Sequence, residues 1–370
     1  MSLFQLDAGK EWRGGQKQTL LLTQELLVRG YSVHLIVQPD SPLHQKASEA
    51  SVPVWPLRMR SEMDFLAVLK LGRKMKRHRG RLVHFHDAHS LAIGSAAASW
   101  AKIPLRVISR KVDFPLKANP LSRIKYTKDI DVVIAVSQEV KGVLAEGGID
   151  PEKIRVIPDG VDYSSFEDVA SSAYLRNELS FALDDFLVGI VAHLADHKGH
   201  KYLIEATRVL KQKAPKVKVI IVGAGPLKIE LSKQAREIHV EDMVFFLGFR
   251  DDIPQIMASL DLFVLSSYLE GMGSSILEAM ASRLPVVATQ AGGIPEVVVH
   301  EETGLLVPSR DSAALADAII RIYKDRKFGK LLGQRGYELV HRKFSARAMA
   351  SKVIDEYERI AKEKNVKLLL

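Results

Sequence analysis

Short apolar runs recur along the whole chain, and longer stretches with a helical repeat of apolar residues separate them. In the first half, the apolar runs fall at residues 3–6, 32–37, 52–56, 82–86, 105–109, 132–136 and 154–157. In the second half, they fall at residues 187–192, 217–222, 243–246, 262–265, 285–287 and 305–307. Short runs that are mostly apolar are typical of the strands of parallel sheets, which are buried on both faces.

The segments between these runs predict helices. After the first run, Leu20, Leu21, Leu27 and Val28 recur two turns apart, and Gly30 is a stop signal for that helix. Strands that alternate with helices form βαβ units, which build parallel sheets. The pattern therefore predicts an α/β fold.

The repeat of this pattern in the second half predicts two doubly wound, Rossmann-like domains. We place them at residues 1–163 and 164–345, and we expect a last helix, within residues 346–370, to pack back onto the first domain. In open α/β sheets, ligands bind beyond the carboxyl ends of the strands. The active site is therefore expected in a cleft where the two domains face each other.

Composition limits the class of protein. The 370 residues suffice for about two domains, and a mean hydropathy of +0.01 indicates a soluble chain. Because the sequence has no cysteine, disulfides and thiolate metal sites are excluded. The N-terminus has no signal-peptide pattern, and no apolar run reaches the roughly eighteen residues of a membrane span. We expect a cytoplasmic protein.

The net charge of +9 lies mostly in the first half. Residues 1–165 carry 25 Lys and Arg against 17 Asp and Glu, whereas the remaining residues carry 28 against 27. On a helical wheel, four cations share one face and four apolar residues lie opposite: Lys70, Arg73, Lys74 and Arg77, and Phe65, Val68, Leu69 and Met75. Nucleic acid, an anionic membrane surface and a phosphorylated glycolipid would each suit this face, and so would solvent alone.

The segment from Glu270 to Glu278 carries the strongest candidate chemistry. It follows the apolar run at 262–265, and its turn from Gly271 to Ser274 leads into a predicted helix. Backbone N–H groups at a helix N-terminus bind anions, and carboxylates accept hydrogen bonds from sugar hydroxyls. A sugar nucleotide would satisfy both. The same residues also fit a capping box, in which Ser275 caps the helix and Glu278 reaches back to the cap.

Two other predicted helices begin with glycine directly after a strand. Gly14 and Gly15 follow the first strand, and Lys198 with Gly199 follows the first strand of the second half. Glycines let a phosphate approach a helix N-terminus, and a lysine there can pair with a diphosphate and steady a leaving group. Turns that bind nothing use the same residues, so each feature alone leaves binding open.

Two patterns argue against other chemistries. His84 and His86 lie on the same side of one predicted strand, but His89 has passed into the next helix, so a three-histidine metal site is not expected. The glycine run that begins at Gly223 lacks the third glycine of a dinucleotide fingerprint, because Lys228 stands there. This argues against nicotinamide chemistry.

Taken together, these segments resemble the retaining glycosyltransferases of family 4, also described as group 1 glycosyl transferases, which have the GT-B fold. The motifs follow one another in order along nearly the whole chain, at residues 14–15, 83–87, 135–137, 156–162, 197–200, 223–226, 270–278 and 285–296. Their order and spacing, with two glutamates eight positions apart at the end, carry the resemblance.

The resemblance implies roles for individual residues. Glu270 would contact donor sugar hydroxyls, Glu278 the ribose and Lys198 the diphosphate, while backbone near Phe249 would border the base. The implied catalytic residues are His86, Lys198 and Glu270. The implied donor-binding residues are Gly14, Gly15, His193, Lys198, Phe249, Glu270, Gly271, Met272, Gly273, Ser274 and Glu278. Because the family is metal-independent, no metal ion and no cofactor besides the donor is expected.

Two positions depart from the family pattern. Many members have an arginine where this chain has His193, so a second cation on the diphosphate is missing, and Arg110 is a candidate to replace it. Asp159 stands where an asparagine is more usual.

The sequence therefore predicts a retaining glycosyltransferase that moves a sugar from a nucleotide-diphosphate sugar to a glycan or a lipid-linked acceptor, as in the synthesis of lipopolysaccharide or cell-surface polysaccharide. The acceptor, or the inner face of the membrane, would contact Lys70, Arg73, Lys74, Arg77 and Arg110. One alternative is a nucleotide-sugar epimerase with the same fold. The other is a non-catalytic, basic nucleic-acid-binding protein, although no nucleic acid partner is expected because the cations lack interleaved aromatic residues.

Overall fold

The computed structural model describes residues 2–114, 126–127, 129–167, 169 and 173–368. The chain forms two compact units. Unit 1 comprises Met1–Gly160 together with Ala346–Leu370, and unit 2 comprises Val161–Ser345. The sequence predicts a domain boundary after residue 163, and the two units divide after Gly160.

Unit 1 is built on a parallel sheet of seven strands in the order β3-β2-β1-β4-β5-β6-β7. Its strands are β1 (Ser2–Asp7), β2 (Val33–Val37), β3 (Val54–Pro56), β4 (Gly80–Phe85), β5 (Leu105–Arg110), β6 (Val132–Ala135) and β7 (Ile154–Val156). Its described helices are α1 (Gly14–Val28), α2 (Pro42–Glu49), α3 (Phe65–Arg77), α4 (Ala88–Ala101), α5 (Gln138–Glu146) and, from the end of the chain, α14 (Ala346–Glu363).

The last helix completes the core of unit 1. Met349, Val353, Tyr357 and Ile360 of α14 are buried against strands and α1. This spacing of three or four residues places one apolar stripe of the helix on the sheet. The C-terminal segment is therefore part of the first unit, although the whole of unit 2 precedes it in the chain.

Unit 2 is built on a parallel sheet of six strands in the order β10-β9-β8-β11-β12-β13. These strands are β8 (Phe186–Val191), β9 (Val217–Val222), β10 (Val244–Gly248), β11 (Leu262–Leu265), β12 (Val286–Thr289) and β13 (Leu305–Val307). The described helices are α6 (Ser164–Glu167), α7 (Tyr174–Glu178), α8 (His200–Lys213), α9 (Lys228–Glu237), α10 (Ile253–Ser259), α11 (Ser274–Ala281), α12 (Ser312–Lys324) and α13 (Arg326–Lys343).

The predicted fold class is confirmed, and the apolar runs lie at the strands to within two residues at either end. The reason is burial. Nearly every residue of β1, β4, β8 and β11 is buried, because helices cover both faces of a parallel sheet.

The predicted apolar face of α3 is partly wrong. Of its four residues only Met75 is buried, while Phe65 is 69% exposed. The buried stripe consists of Ala67, Leu71 and Met75, spaced four residues apart along the helix. Gly72 lies beside it, against the ring of Trp100.

Candidate functional site

Each sheet has one place where the strand order reverses, and the candidate residues lie at these places. In unit 1 the order reverses between β1 and β4, and in unit 2 between β8 and β11. The crevice beyond the carboxyl ends of such strands is the usual ligand site of doubly wound sheets. Gly14 and His86 follow β1 and β4, and Lys198 and Glu270 follow β8 and β11.

In unit 2, the structure brings Lys198 and Glu270 into direct contact. The Lys198 ammonium donates to Oε2 of Glu270 at 2.5 Å, and the Ser267 hydroxyl donates to the same oxygen at 3.1 Å. The two charged side chains are 19% and 11% exposed. Removing one partner of an ion pair this far from water leaves a buried charge without compensation, which is costly. The pair therefore holds the two charged groups together at the switch point.

The backbone around Lys198 explains its position. Asp196–Lys198 forms a short 3-10 helix, and Gly199 follows with φ +67°. A Cβ at Gly199 would overlap the carbonyl oxygen of Ser266, so only glycine fits. The Ser266 hydroxyl donates to the Lys198 carbonyl at 3.1 Å, which ties the loop after β8 to the end of β11.

Helix α11 begins differently from the predicted capping box. Its N-cap is Gly273, with φ +85°, and no side chain caps the helix. Ser275 already lies inside the first turn, so it is not the cap, and this prediction is wrong. Glycine is favoured as the N-cap because the backbone there is left-handed, a conformation that costs a serine free energy. Glu278 is buried within α11.

The remaining candidates of unit 2 lie around the same edge of the sheet. His193 follows β8, and Phe249 follows β10 and is 51% exposed. Gly271 and Met272 are buried, and the N–H of Gly293 donates to the carbonyl of Glu270 at 3.1 Å. The loops after β10, β11 and β12 therefore frame one site.

The glycine run after β9 is a turn, as expected. Gly223 has φ +140° and donates its N–H to the carbonyl of Gly248 at 2.7 Å. A Cβ there would overlap the carbonyl oxygen of Ala192. Close packing of three loops accounts for this glycine without a ligand.

In unit 1, the buried carboxylate of Asp7 and the partly buried carboxylate of Asp87 shape the loop that leads to Gly14 and Gly15. Asp7 accepts hydrogen bonds from Gln16 and Thr19 of α1, at 3.0 and 2.8 Å. Asp87 accepts from the Ala8 N–H at 2.7 Å and caps α4. Burial, and then repulsion from Asp87, raises the pKa of the Asp7 carboxyl. These bonds hold the ends of β1 and β4 together.

The two histidines of β4 have different environments. Both ring nitrogens of His84 are used, Nδ1 by the Tyr357 hydroxyl at 2.6 Å and Nε2 by the Ser109 hydroxyl at 2.8 Å. His84 is therefore a satisfied core histidine, and burial lowers its pKa to about 3. The ring centres of His84 and His86 are 4.2 Å apart. The two rings lie on the same side of the strand, as predicted. Nε2 of His86 bonds to Oε1 of Gln5 at 2.6 Å.

His86 and Arg110 line one cavity at the carboxyl ends of β4 to β7. Lys111 and Asp159 lie there too, 3.5 Å apart and both largely buried. Asp159 therefore carries the counter-charge of Lys111, which gives this departure from the family pattern a structural role. The guanidinium of Arg110 donates to the carbonyls of Val112 and Phe114, at 3.2 and 2.6 Å, and to the Tyr126 hydroxyl at 3.3 Å. Its role toward a diphosphate stays a prediction.

The cations of α3 do not form one uniform face. Lys74 lies over the Trp55 ring, 3.7 Å from its centre, and burial lowers its pKa. Lys70, Arg73 and Arg77 are exposed. Together with Lys76, which is also exposed, these three residues carry the exposed charge of the helix, while Lys74 covers an aromatic side chain.

Sequence reasoning missed three residues that contact the candidates. Gln5 and Tyr357 bond to the histidines of β4, and Ser267 bonds to Glu270. A signal for Gln5 exists, since an amide within a strand buried on both faces requires a polar partner. Tyr357 carries no such signal, because its spacing in α14 matches an ordinary apolar stripe.

Two family models match most of the chain. The model described as Glycosyltransferase Family 4 matches residues 12–165, and the model described as Glycosyl transferases group 1 matches residues 172–339. None of the helices in the described parts of the chain is long and apolar enough to span a membrane.

Relatives of known activity match over nearly their full length. The N-acetyl-alpha-D-glucosaminyl L-malate synthase of Bacillus anthracis is 25% identical, over 92% of this chain and 91% of its own. The UDP-Gal:alpha-D-GlcNAc-diphosphoundecaprenol alpha-1,3-galactosyltransferase of Escherichia coli is 26% identical, over 85% of each chain. The crystal structure of Anabaena Alr3699/HepE in complex with UDP and glucose is similar with a TM-score of 0.87, at 25% identity, over 97% of this chain and 100% of its own.

Proposed function

We propose, because the chain belongs to glycosyltransferase family 4 and has the GT-B fold, that it transfers a sugar from a nucleoside diphosphate donor to a glycan or lipid-linked acceptor. The observation that carries the proposal is the contact between Lys198 and Glu270 at the switch point of unit 2. It joins the cation that a diphosphate requires to a carboxylate that sugar hydroxyls require.

Unit 2 would bind the donor. Lys198 would contact the diphosphate, Glu270 the sugar hydroxyls and the N–H groups from Gly271 to Ser274 both sugar and phosphate. Glu278 would contact the ribose, and Phe249 would lie at the base. When the diphosphate arrives, the Lys198 ammonium is shared between phosphate and Glu270, and the ion pair positions it for that before the donor binds.

Unit 1 carries the other residues to which we assign a role. Gly14 and Gly15 begin α1 without side chains, so a phosphate can approach the N-terminus of this fifteen-residue helix. His86 would lie at the transferring sugar. Burial lowers the pKa of His86 well below its usual value, so the imidazole is neutral and acts through hydrogen bonds rather than through charge.

The transfer would retain the anomeric configuration without a metal ion. The bond from the anomeric carbon to the diphosphate oxygen breaks, and the acceptor oxygen bonds to that carbon on the same face. The proton of the acceptor hydroxyl passes to the leaving phosphate. Lys198 would stabilise the negative charge that develops on that phosphate, which is electrostatic catalysis by a preorganised cation.

The acceptor would approach unit 1 from an anionic membrane surface on the cytoplasmic side. Residues 58–81 carry nine Lys or Arg and two carboxylates, so they hold most of the net charge. Met63, Phe65 and Leu66, at the start of α3, are 91%, 69% and 65% exposed. Exposed apolar side chains beside cations are typical of helices that lie in a bilayer interface. An acceptor of lipopolysaccharide or cell-surface polysaccharide synthesis would fit, because the E. coli relative acts on a diphosphoundecaprenol-linked sugar.

Thermal denaturation with UDP, GDP, ADP and their sugars tests the donor site. A nucleotide at a hundred times its Kd adds about 2.7 kcal/mol to the free energy of unfolding. If every compound in the panel leaves the melting temperature unchanged, the proposal fails. Chromatography of the products then separates the alternatives, because an epimerase consumes the sugar nucleotide without acceptor. Tighter binding of random DNA than of any nucleotide would favour the alternative of a non-catalytic nucleic-acid-binding protein.

Replacing Lys198 tests the assignment of the site. We expect Lys198→Ala to slow transfer about tenfold to a hundredfold in single turnover, since a hydrogen bond to a charged group contributes roughly 1.5–3 kcal/mol. Lys201→Ala is the matched control, because Lys201 lies three residues away, has a side chain that is 43% exposed and pairs with Asp196 at 2.8 Å. Equal rates in both variants would remove Lys198 from the proposed mechanism.

A further inference from the structure

A chain of hydrogen bonds runs through the core of unit 1 from α14 to His86. The Gln5 amide nitrogen donates to the Tyr357 hydroxyl at 3.1 Å, and the same hydroxyl lies 2.6 Å from Nδ1 of His84. The other end of the Gln5 side chain, Oε1, lies 2.6 Å from Nε2 of His86. Gln5, His84 and Tyr357 are fully buried, so water does not compete for these bonds.

The Gln5 amide gives the chain a direction. Because its nitrogen donates to Tyr357, the hydroxyl hydrogen of Tyr357 is left for Nδ1 of His84, whose Nε2 then donates to Ser109. Because Oε1 of Gln5 can only accept, Nε2 of His86 must carry the hydrogen. A neutral imidazole has one N–H, so Nδ1 of His86 is a bare acceptor.

That acceptor has no partner within the part of the chain that the structure describes. His86 lines the cavity at the carboxyl ends of β4 to β7, whose walls include Leu22 of α1 and Val353 of α14. A buried acceptor without a partner is costly unless a ligand completes it.

We propose that Tyr357 and Gln5 fix the tautomer of His86, so that Nδ1 accepts a hydrogen bond from a hydroxyl group of a ligand in this cavity. The ligand class follows from the chemistry of the acceptor. A neutral nitrogen lone pair pairs with a hydroxyl of a sugar or an acceptor alcohol, and it repels phosphate oxygens. Tyr357 is then a positioning residue, which acts on the ligand only through Gln5 and His86. The part of the inference that concerns a sugar hydroxyl rests on the proposed function.

The tautomer can be measured without substrate. Nitrogen-15 NMR distinguishes protonated from bare imidazole nitrogens, and comparison with His86→Gln identifies the signals of His86 among the twelve histidines. We expect a protonated Nε2 and a bare Nδ1 in the wild-type protein. In Tyr357→Phe and in Gln5→Met, we expect a mixture of tautomers. A protonated Nδ1 in the wild type, or an unchanged tautomer in both variants, would overturn the inference.

Tyr31→Phe is the matched control. The Tyr31 hydroxyl donates to Glu358 at 2.9 Å, so this variant also removes a tyrosine hydrogen bond between the body of unit 1 and α14, one that is partly buried and lies outside the hydrogen-bond chain. We expect Tyr357→Phe and Gln5→Met to lower kcat about threefold to tenfold, the range of one neutral hydrogen bond, and Tyr31→Phe to leave it unchanged. Equal losses in all three would indicate a structural role only and would overturn the positioning role of Tyr357.

The two proposals fail in different ways. If the wild type turns over no nucleotide sugar while His86 shows the expected tautomer, the proposed function fails and the assignment of the tautomer stands. If transfer occurs but the tautomer is reversed, the inference about Tyr357 fails alone.

Discussion

Glycines in the loops and helix starts that follow the strands have different physical reasons to be glycine. Gly199 and Gly223 have positive φ angles, +67° and +140°, which other residues rarely adopt. A Cβ at either position would also overlap a carbonyl oxygen. Gly15 meets nothing within 4 Å, although it lies in the first turn of α1, where glycine is a poor helix former. Nothing in the described structure requires a glycine there, whereas the proposed function supplies a reason for one, namely the approach of a phosphate to the start of α1.

Gly15→Ala therefore separates folding from binding. We expect the variant to raise the free energy of unfolding by about 0.5–1 kcal/mol, because alanine favours the helix, and to slow sugar transfer, because the methyl group would stand where a phosphate approaches. Gly142→Ala is the matched control, since Gly142 lies inside α5 and also has open space around it. It should give the same gain in urea unfolding with unchanged transfer. Unimpaired transfer by Gly15→Ala would show that no donor approaches this residue.

Sequence and structure agree on some residues of the site and not on others, for reasons of distance along the chain. Lys198 and Glu270 could be found because each lies in the loop after a recognisable strand, although their contact could not. The bond between Gln5 and Tyr357 spans 352 positions. No local pattern indicates such a partner, since α14 reaches unit 1 only after unit 2 has been completed.

At the level of elements, strands were easier to predict than the faces of helices. A strand buried on both sides is apolar throughout, so its pattern has no orientation to misjudge. Helix α3 has apolar residues on two sides. Ala67, Leu71 and Met75 face the core, while Phe65 and Leu66 are exposed beside the turn that contains Met63. The sequence shows both sets and does not say which one the sheet covers.

The exposed set predicts binding to anionic vesicles through α3. We expect the wild type to bind vesicles that contain phosphatidylglycerol, more weakly at high salt, and not vesicles of phosphatidylcholine alone. Phe65→Ser with Leu66→Ser should lower the partition coefficient about tenfold or more, given roughly 25 cal/mol per Å² of apolar surface that leaves water. Sedimentation with sucrose-loaded vesicles measures it.

Leu183→Ser serves as the control for this experiment, because Leu183 is 90% exposed but belongs to unit 2. Its partition coefficient should equal that of the wild type. Charge is tested separately by Arg73→Glu, which should weaken binding mainly at low salt. Binding that survives both the serine and the glutamate substitutions would place the membrane contact elsewhere or exclude it.

Across the whole molecule, both units bury histidines in neutral form. Burial lowers the pKa of His84 in unit 1 to about 3, and burial, followed by the nearby charge of Lys198, lowers the pKa of His200 in unit 2 to about 3. The unfolded chain binds protons at these residues below pH 6.5, whereas the folded units do not until about pH 3. The contribution of these neutral, buried imidazoles to the free energy of unfolding is therefore fully present above pH 6.5, and it is lost as the pH falls from 6.5 to about 3.

His200→Leu tests this within one protein. Both ring nitrogens of His200 lack a hydrogen-bond partner among the described residues, so a leucine loses no bond there. Between pH 6.5 and 3, unit 2 of the wild type should lose up to about 5 kcal/mol of its free energy of unfolding through His200, at 1.36 kcal/mol per unit of pKa shift. We expect His200→Leu to abolish this loss.

The three tryptophans, Trp12, Trp55 and Trp100, all belong to unit 1. Their fluorescence should therefore report an unchanged acid transition, while far-ultraviolet circular dichroism shows unit 2 unfolding at lower pH. His239→Asn, at an exposed histidine of unit 2, should leave both transitions unchanged. If His200→Leu moved the tryptophan signal as well, the acid sensitivity would belong to both units together rather than to this buried imidazole.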